Sequence, residues 1–64
     1  MKVFEKTCKC IEDLTRDDRQ FHKGREYQVD IYPDCYKIYQ NGGWYDSIFI
    51  TTDYEFNKYF KEID

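Results

Sequence analysis

The sequence lacks a long apolar run. Met1-Lys-Val-Phe-Glu-Lys6 is followed by none of the continuous hydrophobicity that a secretory leader needs. No stretch approaches the roughly 20 apolar residues of a membrane helix. The expected location is therefore the cytoplasm, away from membranes. It also lacks a basic excess. Ten Lys and Arg stand against 13 Asp and Glu, a net charge of −3. A protein built chiefly on phosphate contacts normally shows the opposite balance. Cysteines are few and odd in number, at positions 8, 10 and 35. That excludes the even framework of a disulfide-stapled mini-protein and fits reduced thiols. There is no Cys-x-x-Cys knuckle, no glycine-rich phosphate loop, no repeat and no linker. His22 is the one histidine.

What is abundant is aromatic. Seven tyrosines, five phenylalanines and one tryptophan occur in 64 residues. So short a chain buries a small share of its surface. Rings bury much area each, so they can hold a core where aliphatics are scarce. The same rings anchor binding surfaces. One domain, residues 1–64, accounts for the length.

The patterning is that of β structure. Residues 2–12 read as a strand rich in Val, Phe, Thr and Ile. Residues 13–24 are polar apart from Leu14 and Phe21, and read as a long loop with two apolar pegs, closed at Lys23-Gly24. Residues 25–32 alternate strictly, with Tyr27, Val29 and Ile31 on one face. Pro33-Asp34 marks a turn, and residues 35–40 form the return strand. Asn41-Gly42-Gly43 is a strong hairpin signal, leading to a strand over 44–50. Thr52 with Glu55 three residues later is a capping box. It predicts a helical turn near residues 53–58, carrying Phe56, Tyr59 and Phe60. Residues 61–64 then form a short edge strand or extend the helix.

Closing the first hairpin with two residues pairs Ile31 with Tyr36, Asp30 with Lys37 and Val29 with Ile38. Closing the second at Asn41-Gly42 pairs Lys37 with Asp46 and Tyr39 with Trp44. Opposite charges across a ladder are favourable. A turn at Gly42-Gly43 keeps the same faces in a shifted register. On this reading Tyr32, Tyr39, Trp44 and Ile48 lie on the parity away from Val29, Ile38, Tyr45 and Phe49. Both parities carry rings, so composition leaves open which one is the core.

This order of elements resembles a small barrel of the Src-homology-3 kind. Phe21-His-Lys-Gly-Arg-Glu-Tyr27-Gln-Val29 is similar to the loop-to-second-strand passage of such barrels. Phe56-Asn-Lys-Tyr-Phe60 resembles the ending of short phage and prophage proteins sharing this plan. The fold class expected is mainly β: a five-stranded antiparallel barrel with a short C-terminal helical turn. The loop at 13–20 has no aromatic doublet, and no Pro-Ser-Asn-Tyr-like segment follows the fourth strand. Proline-rich peptide reading is therefore not implied. The resemblance implies an accessory protein acting on one host or defence component of a bacterium.

No constellation for catalysis is legible. Cys8, Cys10, Cys35 and His22 could in principle ligate zinc, and His22 could pair with a thiol. Without knuckle spacing or a third orienting group, buried thiols and a solvated loop histidine are the simpler account. No metal and no cofactor are expected. The expected function is a non-enzymatic interaction module, a monomer or small homo-oligomer, that inhibits a bacterial host or defence protein such as a CRISPR effector. Tyr32, Tyr39, Trp44 and Ile48 would anchor the partner, with Asp30 and Asp46 as an acidic rim. Single-stranded nucleic-acid binding, with bases stacked on Tyr39 and Trp44, is the alternative. Trapping a signalling nucleotide is a third reading.

Overall fold

The computed structural model describes residues 2–40 and 46–63. Among these residues, seven strands and one helix follow in chain order: β1 (Phe4–Cys10), β2 (Leu14–Arg16), β3 (Arg19–Phe21), β4 (Glu26–Tyr32), β5 (Cys35–Tyr39), β6 (Ser47–Ile50), α1 (Asp53–Tyr59) and β7 (Phe60–Glu62). Five of the strands form one antiparallel sheet in the order β6-β5-β4-β1-β7, and β2 and β3 form a separate hairpin. The mainly β architecture with a short C-terminal helix is as the patterning predicts.

The polar stretch after β1 is more ordered than its composition suggests. Leu14 pairs with Phe21 and Arg16 with Arg19 across the β2–β3 hairpin. Asp17 and Asp18 make its turn, with φ of 53° and 63°. Two consecutive positive φ values match the twist of a tight hairpin, and Asp tolerates them better than most residues. The two pegs carry the hairpin into the core, where Leu14 and Phe21 are buried. Gly24, at φ +94°, then turns the chain and donates its N–H to the Cys10 carbonyl at 2.8 Å. A side chain would be strained in that left-handed conformation.

The β4–β5 register is the one that the two-residue Pro33-Asp34 turn requires. Val29 pairs with Ile38, Asp30 with Lys37 and Ile31 with Tyr36. The β5–β6 register departs from the expectation. Lys37 faces Phe49 rather than Asp46, and Tyr39 faces Ser47 rather than Trp44. A shift by an odd number of residues turns every side chain of a strand over. Ile48 and Ile50 therefore enter the core at 0% exposure, and Phe49 stands outside at 55%. The sequence-based assignment of Ile48 to the outer parity and Phe49 to the inner one is corrected accordingly. The Asn41-Gly42 turn, Trp44 and Tyr45 lie outside the described residues.

Thr52 caps α1: its side-chain oxygen accepts from the Glu55 N–H at 3.1 Å. The helix ends at Tyr59, and the chain runs on in extended conformation as β7, with Cys10 paired to Phe60. Phe56 and Phe60 thereby reach the same core from the helix and the strand. Phe21 meets Tyr27 edge-on at 4.9 Å and Phe60 at 5.6 Å. Tyr36 stacks on Phe56 at 4.1 Å. The sheet contributes Cys8, Cys10, Val29, Ile38, Ile48 and Ile50 beneath these rings. Burying one such aliphatic or aromatic side chain stabilises by roughly 1.5–3 kcal/mol. Rings thus supply the bulk that a 64-residue chain would otherwise lack.

Candidate functional site

The sheet face turned away from this core carries one continuous cross-strand row. Glu5 on β1 faces Asp30 on β4, Asp30 faces Lys37 on β5, and Lys37 faces Phe49 on β6. Alternation puts Gln28 and Tyr39 on the same face, two residues along their strands. Asp30 is 4% exposed and Tyr39 is 7% exposed, although they lie on the outer side. A buried carboxylate needs partners. The Tyr39 hydroxyl donates to Asp30 Oδ2 at 2.7 Å, and Gln28 Nε2 donates to Oδ1 at 3.3 Å. Burial raises the Tyr39 pKa, and the hydrogen bond to Asp30 pushes it the same way. The phenol therefore stays a donor throughout the physiological range.

Lys37 spans the row. Its Nζ lies 5.2 Å from the centroid of the Tyr39 ring and 5.6 Å from that of Phe49. Cation–π contact of this kind holds the ammonium beside both rings. At the row's other end, Lys2 pairs with Glu5 at 3.0 Å, and that bond raises the Lys2 pKa. The outcome is an exposed phenylalanine beside a fixed lysine, with a rigid Tyr39–Asp30–Gln28 set behind them. Beside it, Glu5, Thr7, Glu26 and Gln28 line a polar groove of about 410 Å³.

The six expected anchor and rim residues are divided by the fold. Asp30, Tyr32 and Tyr39 share the outer parity. Tyr39 and Asp30 are spent on each other, so they support the face more than they present it. Tyr32 is half-buried at the end of β4. Asp46 is half-buried, and its carbonyl accepts from the Gln40 N–H. Ile48 is on the opposite face, in the core. Trp44 lies outside the described residues. Sequence reading missed Phe49 and Gln28 on this face. Phe49 follows from the β5–β6 register, which no local signal encodes. Gln28 was legible as the outer neighbour of Asp30 on a strictly alternating strand.

Two further grooves meet at Tyr36. One, of about 400 Å³, lies along Ile11, Phe56, Phe60 and Glu62 between α1 and β7. The other, of about 360 Å³, lies by the Pro33-Asp34 turn and the start of α1. The Tyr36 hydroxyl donates to Asp53 Oδ1 at 2.5 Å, and chiefly that bond pushes its pKa up to about 12.

Neither thiol of β1 is poised as a nucleophile. Burial pushes Cys8 up to about 12 and also raises Cys10. The Cys10 thiol donates to the Glu12 carbonyl at 2.9 Å. Thiolate is the reactive form, and these environments oppose it. His22 is exposed, and its backbone N–H donates to the Tyr27 hydroxyl at 2.9 Å. Among the described residues, no three His, Cys, Asp or Glu side chains cluster as metal ligands. Among the same residues, no helix is long and apolar enough to cross a membrane. Set beside family models, curated proteins and solved structures, the chain matches none of them.

Proposed function

We propose that this chain is a non-enzymatic protein-interaction module that docks through the outer face of its sheet. The observation carrying the reading is Phe49, 55% exposed on a strand whose neighbours are fully buried, with Lys37 held against its ring. Docking surfaces have an apolar core inside a polar rim, with aromatic side chains as their anchors. The Tyr39–Asp30 pair gives that core a rigid base, which lowers the entropy lost on binding. Tyr32 extends it, and Glu5 and Lys37 form its polar rim.

The strand order, with a hairpin inserted between β1 and β4 and a helix before the last strand, supports a Src-homology-3-like barrel. On the resemblance of the C-terminal segment to short phage proteins, the partner proposed is a bacterial host or defence protein, met in the cytoplasm. Inhibition of that partner is the proposed consequence.

The test is capture of partners from bacterial lysate by the wild-type chain, Phe49→Asp and Tyr54→Ala. Among the described residues the other large exposed rings are Tyr54, 82% exposed on α1, and Phe4, 55% exposed at the start of β1. Loss of the same captured protein with Phe49→Asp, but not with Tyr54→Ala, is expected. The opposite pattern moves the docking surface to the helix. Tight, steeply salt-dependent binding of a single-stranded oligonucleotide would replace a protein partner with a nucleic acid.

A further inference from the structure

The β4–β5 turn and the start of α1 leave a groove of about 360 Å³ between them. Its walls are Ile31, Tyr32, Pro33, Asp34, Tyr36 and Asp53. Like the groove beside Glu5, it carries two carboxylates on different elements, here Asp34 and Asp53. Two features set it apart. Two tyrosine rings and a proline stand among its walls, and among the described residues no lysine or arginine lines it, whereas Lys6 lines the other. Lys2, whose charge is felt by Tyr32, is engaged by Glu5 at 3.0 Å.

We infer that this groove receives an arginine side chain of the partner protein. The inference rests on the protein-interaction reading above. Arginine fits on three counts. Its planar guanidinium stacks on aromatic faces. Its fixed fork of donors can meet two acceptors at once. It is also more weakly hydrated than an ammonium, so it loses less on leaving bulk water for a groove. Asp53 is already oriented: Tyr36 holds one of its oxygens, leaving the other as acceptor. Asp34 sits on a turn whose first residue is the stiff Pro33, so its backbone position is set before binding. The net charge of −3 favours approach of a basic surface.

The experiment is an amide-NMR titration of the full chain with N-acetyl-arginine amide, and in parallel with N-acetyl-citrulline amide. Citrulline keeps the shape and loses the charge. Saturable shifts confined to residues around 31–36 and 51–53 are expected with arginine and not with citrulline. An exposed ion pair contributes about 0.2–1 kcal/mol. Asp34→Asn should therefore weaken the arginine response by about 1.4- to 5-fold. Asp53→Asn should do likewise, and the dispersion of its spectrum checks that α1 still forms. Equal response to citrulline overturns the inference, as does a response scattered over all carboxylates. So does movement of the same resonances with protein concentration alone, which would make a second copy the occupant. The lysate capture is read separately. A captured partner with no arginine response breaks the groove assignment and leaves the outer-face docking standing.

Discussion

The β4–β5 and β5–β6 hairpins share one strand and differ in how their register is set. In the first, Pro33-Asp34 joins Tyr32 to its partner Cys35, and a two-residue turn admits one register. In the second, residues 40–46 separate Tyr39 from its partner Ser47. A connection of that length tolerates several pairings, so packing selects among them. The selected one aligns Val29, Ile38 and Ile48 in a row across three strands, all at 0% exposure. The alternative face of β6 would bury Phe49 under a core already filled by Phe21, Phe56 and Phe60. It would also put two isoleucines in water. Where a turn is tight, local chemistry sets the faces of a strand. Where it is long, the volume left by the rest of the core does.

The largest effect that could break this comparison lies at Ile48. Ile48→Ala should destabilise by about 2–5 kcal/mol, as large-to-small core changes do. Phe49→Ala should cost under about 1 kcal/mol, the scale of a surface contact. Urea midpoints measure both. If Ile48→Ala unfolds the chain outright, Ile48→Val, at about 0.5–1.5 kcal/mol, keeps the contrast measurable. Equal or reversed costs would mean that β6 presents its other face.

Next is the polar set on the outer side of the first hairpin. Among the described residues, Tyr39→Phe leaves the buried Asp30 with Gln28 as its remaining side-chain donor. The expected loss is about 1–3 kcal/mol, read from the same denaturation curves. A neutral result would mean that water reaches Asp30 and that the base of the docking face is not rigid.

A smaller effect sharpens the role of the β6 edge. Arg16 Nη1 donates to the Phe49 carbonyl at 3.2 Å, and Nη2 pairs with Glu55 Oε2 at 2.7 Å. One side chain thus ties the β2–β3 hairpin to the sheet edge and to α1. A covered carbonyl also blunts that edge against stray strand pairing. The Arg16 guanidinium holds the Glu55 carboxyl below its ordinary value of 4.5. A lowered carboxylate contributes stability that is complete above its unfolded value and is lost as pH falls through the folded one. Wild type should therefore lose stability on acidification below about pH 4.5, and Arg16→Ala should flatten that limb. At neutral pH the variant should lose about 0.2–1 kcal/mol, because the pair is partly exposed.

The smallest effect is at high pH. Tyr36 is raised from 10.0 to about 12 by Asp53. A raised folded value means stability that is intact below pH 10 and lost as pH climbs toward 12. Absorbance titration at 295 nm should show one late-ionising phenol fewer in Tyr36→Phe, and the variant's alkaline stability loss should be shallower. An unchanged titration would show that Tyr36 and Asp53 are not bonded in solution, which would also leave Asp53 unoriented in its groove.

Thus the first hairpin, the helix cap and the aromatic character of the core were determined by the sequence itself. Strict alternation over 25–32, a two-residue turn, and Thr52 with Glu55 are signals complete within a few residues, so nothing distant can override them cheaply. The tertiary structure decided the rest. Asp17 and Asp18 form a tight turn because Leu14 and Phe21 are drawn into the core on either side, a demand invisible in so polar a segment. Asp30 and Tyr39 become a buried pair because two strands bring them to bonding distance. Phe49 faces outward, and Ile48 inward, because a long connection leaves the register free and the remaining space in the core fits two isoleucines. That one long-range choice places the exposed ring from which the proposed docking face is built.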